Sequence, residues 1–443
     1  MSLDIEAATV GGRRPYFYGH VVLALCSLAR VLKSFGQANT LFLSVPGLLK
    51  DLSLTNTALG ILFSVVCVVA SLAQPLAGRL LDKHGGRRCI TVALVLLAGS
   101  LVLLSVARNT VTAVLALLGL RAIGLGALDT FSSATVCRWY IRRRGSALAL
   151  MTVLFYALTG GGTVQIIAGV QQSSGSWRTA LLVAAVLCVA CAPVCFAFIW
   201  DSPESMGQEP DGGIAVASPG DQLPVGSPRP FTRAEAMRTR VFWMWCIYTL
   251  VYFAGGSGTD FHLFAMAQEV GNVSVSATLS ISAGVCAGVG CIVVGALLDG
   301  GTPATHMLVA GGLCLSGYLV LLTFLSTPLI AWLTGIVKGA ADACSGVALP
   351  FMYAQQFGRL HQGEIFAVNR TFGVIGSGLG PLLFGVWRDI AGRYAPSLYG
   401  MAVLPVLLSI AVAFTPPREA DQRLKAGQEG VHLIDTNTDA SIS

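Results

Sequence analysis

Five basic residues, Arg30, Lys33, Arg121, Lys338 and Arg370, interrupt stretches of the chain that are otherwise apolar. Asp129, Asp342, Asp260 and His262 sit in stretches of the same kind. A charge surrounded by hydrocarbon is expensive, so an ionisable group there marks a substrate or ion pathway by default. A guanidinium presents a planar fork of N–H donors that matches a carboxylate, and an ammonium adds a compact point charge. The five cations are therefore candidates to bind a small organic anion. The carboxylates and the imidazole are candidates for proton coupling or for plain counter-ions. Arg30 and Lys33 are one turn apart on one helix face. Asp129 follows Arg121 by eight residues, read as the same helix face and nearer the inner side. Lys338 and Asp342 are four residues apart and within reach of each other. Asp260 and His262 fall at the end of an apolar run near the outer mouth, where a proton-sensing or gating role is open to them. Each group also has a purely structural reading. Arg30 or Lys33 would snorkel or pair with Asp129, Arg121 would serve helix packing, and Lys338 and Asp342 would neutralise each other. Arg370 would lie near a helix end, and Asp260 and His262 would be solvated.

The elements that carry these groups follow from hydropathy. Residues AVILMFWYC make up 54% and DEKR only 11% of 443 residues, whereas a soluble domain carries about 25% charged residues. Mean hydropathy is +0.72. This composition excludes an ordinary globular enzyme, a disordered chain and a nucleic-acid-binding protein. A hydrocarbon core ~30 Å thick takes ~20 apolar residues in a helix. Twelve such spans occur, at 19–45, 56–79, 89–107, 110–135, 145–170, 178–200, 241–265, 275–298, 306–325, 328–353, 364–387 and 395–415. None alternates like a barrel strand, so helices must satisfy the backbone. The first span lacks a small-residue cleavage site before or after it and is expected to stay as a helix.

With the N-terminus inside, 18 Lys and Arg fall in inner segments and five in outer loops. That bias places both termini in the cytoplasm, with the plasma membrane as the default location. Residues 201–240 are rich in Pro, Gly, Ser and charge and read as a cytoplasmic linker. The expected organisation is an N-terminus over 1–18, a six-helix half over 19–200, this linker, a second half over 241–415 and a tail over 416–443. The halves read as repeats. Gly78-Arg-Leu-Leu-Asp82 recurs as Gly295-Ala-Leu-Leu-Asp299, Trp139 and Gly145 match Phe357 and Gly363, and Arg121 matches Lys338, all at an offset of 217 or 218. The expected fold class is thus an all-α polytopic membrane protein of twelve transmembrane helices in two pseudo-symmetric halves. Cys188, Cys191 and Cys195 have no His or carboxylate beside them and read as small apolar packing. Gly160-Gly161-Gly162 in span 5 and Gly373, Gly376, Gly378 and Gly380 in span 11 permit close, bendable contacts. Asn272 is a glycosylation match in a short outer loop, and Asn369 is discounted inside a span.

The loop after span 2 reads Gly78-Arg79-Leu80-Leu81-Asp82-Lys83-His84-Gly85-Gly86-Arg87-Arg88. It resembles the loop 2–3 signature of the major facilitator superfamily, with Gly86 displacing the basic pair by one residue. The resemblance implies a gating latch made by Gly78, Asp82, Lys83, Gly85, Arg87 and Arg88, echoed by Gly295 and Asp299. Further pieces are Arg138-Trp139-Tyr140 to Gly145, Trp177-Arg178, Ser202-Pro203-Glu204 with Pro210-Asp211-Gly212, Phe242-Trp243 and Phe357-Gly358-Arg359 with Gly363-Glu364. Together they resemble the oxalate:formate antiporter and monocarboxylate transporter branch. Arg370 precedes Phe372-Gly373 and Gly378-Leu379-Gly380 in the register of a dicarboxylate-binding lysine of that branch. The branch also has an arginine in span 8, whereas Val275–Leu298 here holds no charge. In such a family, spans 1, 4, 7 and 10 line the central cavity.

The resemblance implies a secondary active transporter, not an enzyme, that moves a small mono- or dicarboxylate by alternating access. Its partners are the lipid bilayer, the organic anion and either protons or a counter-anion. No cofactor, metal or nucleic acid is implied. Other readings are a carrier of a neutral or cationic compound working through Asp129, Asp260 and Asp342, a non-transporting sensor on the same scaffold, and a membrane-embedded enzyme.

Overall fold

A computed structural model describes residues 17–37, 44–52, 56–159, 163–212, 231–269, 274–359 and 361–414. Gly160-Gly161-Gly162, Asn272, most of the linker and the tail lie outside the described residues. Among the described residues every regular element is helical. In chain order these are α1 (Gly19–Leu32), α2 (Val45–Leu52), α3 (Asn56–Ser71), α4 (Gln74–Ser105), α5 (Thr110–Leu120) and α6 (Leu128–Trp139). Next come α7 (Arg144–Leu158), α8 (Val164–Ser174), α9 (Trp177–Phe198) and a short α10 (Arg233–Ala236). The last six are α11 (Arg240–Glu269), α12 (Ser274–Asp299), α13 (Ala304–Leu322), α14 (Pro328–Phe357), α15 (Gln362–Ala391) and α16 (Ala395–Phe414).

These helices account for the twelve expected spans. Seven helical stretches among the described residues are long and apolar enough to cross a membrane outright. The long helices α11, α14 and α15 are apolar on average but carry the polar groups that face inward. The surface is inverted relative to a soluble protein. Val92, Val95 and Leu96 of α4, Val285, Val289 and Ile292 of α12, and Leu329 and Leu333 of α14 are exposed. Arg30, Lys33, Arg121, Asp129 and Arg370 are buried. That distribution suits an apolar solvent outside and a polar site within.

Element ends differ from the hydropathy reading in three places. Span 1 ends early, because α1 tightens into a 3₁₀ turn over Lys33–Gly36 and Gln37 is extended. The end of span 2 and all of span 3 form one helix, α4, which follows a short turn at 72–73 and is interrupted at Gly85, whose φ of 81° a side chain would oppose. Span 7 runs past 265 to Glu269. Span 4 passes through a π-helical stretch, Arg121–Ala127, between α5 and α6. Backbone contact between α1 and this stretch is close. A Cβ on Gly36 would fall 2.8 Å from the Leu120 carbonyl oxygen, and one on Gly124 would fall 3.1 Å from that of Lys33.

The first six spans meet the last six along two seams, α3 and α4 against α15, and α7 against α12. At the end of the bundle that carries the basic loops, both seams are tied by a carboxylate on a helix N-terminus. Asp82 accepts from the backbone N–H groups of Gly363 (3.2 Å) and Glu364 (2.8 Å) at the start of α15, and from Arg138 (2.9 Å). Asp299 accepts from the N–H groups of Gly145 (2.7 Å) and Ser146 (2.8 Å) at the start of α7. A helix N-terminus carries unpaired N–H donors and a positive dipole end, so each carboxylate is doubly favoured there. The two ties are related by the repeat offset, Asp82 to Asp299 and Gly145 to Gly363.

Residues 201–212 read as linker by composition, yet they dock on the first half as short 3₁₀ turns. The Asp201 carboxylate accepts from the N–H of Arg87 (2.8 Å). Asp211, at φ 61°, accepts from three successive N–H groups, those of Ile141, Arg142 and Arg143. Glu204 reaches Arg359 of the second half at 2.9 Å. Burial alone would raise the Glu204 carboxyl, but its own backbone N–H, the Ser202 hydroxyl and Arg359 hold it below the usual range.

The two carboxylate ties are expected to set how firmly the basic end stays shut. Charge-assisted hydrogen bonds are worth ~1.5–3 kcal/mol each. Asp82→Ala and Asp299→Ala should each shift the closed-to-open ratio at this end by about tenfold or more. Spin labels at Lys83 and Gln355, both exposed, report the opening as a longer distance component. An unchanged distance distribution in both variants would mean the seams do not depend on these carboxylates.

Candidate functional site

The helices enclose a cavity of about 450 Å³ between the two halves. This is within the ~300–1,000 Å³ range of small-molecule sites. Its lining includes all five basic residues singled out from the sequence, Arg30, Lys33, Arg121, Lys338 and Arg370, together with Asp129, Asp260 and Asp342. Two charge clusters divide it.

The deep cluster is built around Asp129 on α6. Its Oδ1 lies 3.0 Å from Arg30 Nε and is also paired with Lys33 Nζ, and its Oδ2 lies 3.0 Å from Arg370 Nη2. Arg30 and Lys33 reach it because the 3₁₀ turn and the Gly36–Gly124 approach bring α1 against span 4. Arg370 comes from α15 in the other half and also donates to the Leu125 carbonyl oxygen (3.2 Å) in the π-helical stretch. Arg30 Nη1 donates to Thr152 Oγ1 at 2.9 Å. The Arg30 and Lys33 charges lie over the Phe155 ring and Arg370 over Phe253. Three cations and one carboxylate leave this cluster at 3 − 1 = +2. Asp129 is only 5% exposed. Two donors remain free. Arg370 Nε has no hydrogen-bond partner, and Arg30 Nε, though 3.0 Å from Asp129, is misaligned for a hydrogen bond.

The second cluster lies on α11 and α14. Lys338 Nζ is 3.0 Å from Asp342 Oδ2 and 3.5 Å from Asp260 Oδ1. Tyr252 donates its hydroxyl to Asp342 Oδ1 at 2.5 Å. One cation and two carboxylates leave 1 − 2 = −1. Asp260 is 38% exposed, so this cluster faces the wetter part of the cavity, away from the tied basic end.

Several sequence expectations change here. Asp260 does not mark a solvated helix end, because α11 continues for two more turns and carries Asp260 to Lys338. His262, two residues on, is not among the cavity residues. Its ring nitrogens meet the Pro381 carbonyl oxygen (2.9 Å) and the Tyr394 hydroxyl (3.0 Å) at the α15–α16 side. Arg121 lines the same cavity as Asp129 but is not paired with it. The π-helical stretch adds residues to the turn and rotates Arg121 toward α3, where Nε approaches Cys67 Sγ at 3.2 Å and the guanidinium lies 4.3 Å from the Phe63 ring centroid. Arg370 is not a helix-end arginine but part of the cavity floor. Tyr252, Phe63, Phe155 and Phe253 were not singled out from the sequence. An aromatic residue within a span reads alike whether it faces lipid or a cavity.

A sequence-family model for the Major Facilitator Superfamily matches residues 26–381. Among characterised proteins, a hexuronate transporter of Bacillus subtilis is 22% identical over 406 residues, covering 88% of this chain and 93% of that one. A gallate transporter of Pseudomonas putida is 25% identical over 441 residues, covering 92% and 93%. Among solved structures, a proton:xylose symporter aligns with a TM-score of 0.72 at 14% identity, covering 90% of this chain and 97% of that one. The human organic anion transporter TETRAN aligns with a TM-score of 0.68 at 18% identity, covering 88% and 99%. The two characterised relatives are named for hexuronate and gallate, and neither name places the chain in the oxalate:formate antiporter and monocarboxylate transporter branch.

The deep cluster yields a stability test. Removing one partner of a buried ion pair costs ~3–5 kcal/mol, because the other charge is left uncompensated. Asp129→Asn should therefore lower the melting temperature of the purified protein sharply. Asp129→Asn combined with Lys33→Met should recover much of the loss, since net charge returns to +2. No recovery in the double variant would show that Asp129 is needed as the direct partner of Arg30 and Arg370 and not only to balance the charge of Lys33.

Proposed function

The chain belongs to the major facilitator superfamily, and from that premise we propose that it is a secondary carrier moving a small organic anion by alternating access. The observation that carries this reading is the +2 excess on the cavity floor, where Arg370 lines the cavity and its Nε has no hydrogen-bond partner. A buried positive excess attracts an anion and repels a cation, and the low dielectric strengthens both effects. Hexuronate and gallate, the compounds named for the two relatives, are both carboxylates.

In this reading the basic end faces the cytoplasm by the positive-inside rule. The structure then corresponds to a carrier shut on the cytoplasmic side by Asp82 and Asp299 and open to the outside. Arg370 ties the halves together through Asp129 and Leu125. An incoming carboxylate competes with Asp129 for Arg370 and Arg30. It supplies the counter-charge that the cavity lacks and loosens the tie across the halves. Binding is thereby linked to rocking, since only a ligand that distinguishes two states shifts them. Asp260 and Asp342, sharing one lysine, are the groups placed to take up a coupled proton. Exchange for an internal anion is the other mode the same floor supports.

Uptake into proteoliposomes tests this. Labelled galacturonate, gallate, lactate, pyruvate, oxalate and formate would be compared with and without an inward proton gradient and with and without internal anion. At least one carboxylate should accumulate, and Arg370→Gln should cut its uptake by ~10-fold or more, the value of a lost charge-assisted bond. Dependence on the proton gradient identifies symport, and dependence on internal anion identifies exchange. Absence of uptake for every carboxylate would overturn the proposal.

A further inference from the structure

The two charge clusters are not equivalent, and their arrangement discriminates among anions. This inference rests on the anion-carrier reading above. The floor of the cavity, at Asp129, Arg30, Lys33 and Arg370, carries +2, while the Asp260–Lys338–Asp342 cluster nearer the opening carries −1. Exposure rises in the same order, from 5% at Asp129 to 38% at Asp260. A ligand that fills the cavity spans both fields.

We infer that the site selects a hydroxylated monocarboxylate, with its carboxylate on Arg370 and Arg30 and its hydroxyl groups donating to Asp260 and Asp342. The floor offers donors. Arg370 is 7% exposed and its Nε has no partner, so a buried guanidinium N–H waits for an acceptor. The opposite wall offers acceptors. An ionised carboxylate has about four lone-pair sites and no donor. Asp342 receives Tyr252 and Lys338, and Asp260 receives Lys338 only at 3.5 Å, beyond good hydrogen-bond length. A ligand hydroxyl is a donor that fits there. A second carboxylate is not, since it would stand against a wall of net negative charge, and like charges held together in low dielectric repel. An unsubstituted apolar acid would leave the wall without donors and forgo those bonds. Phe253, Phe155 and Tyr156 line the cavity between the clusters and supply ring faces for the body of the ligand.

Two matched pairs of probe acids test the assignment with the full-length protein in lipid nanodiscs, titrated by calorimetry. Gallate and benzoate share one ring and one carboxylate and differ in hydroxyls. Glucuronate and glucarate share a hydroxylated chain and differ by a second carboxylate. Gallate should bind at least ~10-fold more tightly than benzoate, and glucuronate at least ~10-fold more tightly than glucarate, the scale of one charge-assisted bond. Asp260→Ala should bring both ratios toward unity. Asp260→Asn provides a second variant should Asp260→Ala fold poorly, and the wild-type ratios stand by themselves. Equal binding of gallate and benzoate, with both lost in Arg370→Gln, would overturn this inference and leave the anion carrier standing. Ratios that persist in the Asp260 variants would overturn the role given to that wall. Binding of none of the four acids would overturn this inference together with the anion reading.

Discussion

Asp129 is the one carboxylate that Arg30, Lys33 and Arg370 share, and none of the four charges is tolerable in the bundle without the others. An isolated ion in a low-dielectric interior carries a desolvation penalty of several kcal/mol. Satisfying that constraint dictates much of the surrounding geometry. The first helix must approach span 4 closely, which requires the tight 3₁₀ turn over Lys33–Gly36 and glycine at both Gly36 and Gly124. The eleventh span must cross from the other half to deliver Arg370. The floor of the cavity is therefore also the place where the two halves are joined most strongly by charge.

Much of the architecture was legible in the sequence because hydropathy is summed over ~20 residues and survives local errors. The five cations within the spans were legible for the same reason, since a charge in an apolar run stands out. What failed were readings that hang on the angle of one side chain or the end of one helix. A strict α-helical count put Arg121 and Asp129 on one face; both line the cavity, but the π-helical stretch between them turns Arg121 toward Phe63. Ending span 7 at 265 instead of Glu269 placed Asp260 one turn too near the mouth, ~6 Å at the rise of an α-helix. His262 was read by proximity to Asp260, but two residues along a helix is a half-turn, and it faces a different neighbour. Asp201 and Asp211 were hidden in a stretch whose Pro and Gly content reads as a tether. Their role depends on the amide groups of Arg87 and of residues 141–143, which no side-chain pattern records.

The charges of the cavity also differ in how they are held. The deep cluster packs against the Phe155 and Phe253 rings and, through Arg370, holds the Leu125 carbonyl oxygen of the π-helical stretch. The Asp260–Lys338–Asp342 group lies within the second half alone, on α11 and α14, and water reaches it. Its ion pairs stay within that half, whereas the Asp129–Arg370 pair of the deep cluster crosses between the halves.

The ties at the basic end have a different character, because across the seams Asp82 and Asp299 grip main-chain amides, with Arg138 of the same half holding Asp82 as well. Of the recipient positions, Ser146 and Glu364 contribute only an N–H and a helical start, whereas Gly145 and Gly363 also leave room for the carboxylate, since a Cβ there would fall 2.7 Å from Asp299 Oδ1 and 2.5 Å from Asp82 Oδ1. Mutational drift is thus buffered at 146 and 364 alone. Ser146 or Glu364 can be exchanged for most residues with the grip intact, and proline, which has no N–H, is the substitution the grip itself forbids. The donor-seeking carboxylates have no such latitude. A lineage carrying this lock can vary positions 146 and 364, for instance to alter surface charge, while the carboxylate and the glycine that faces it are each pinned to a single residue type.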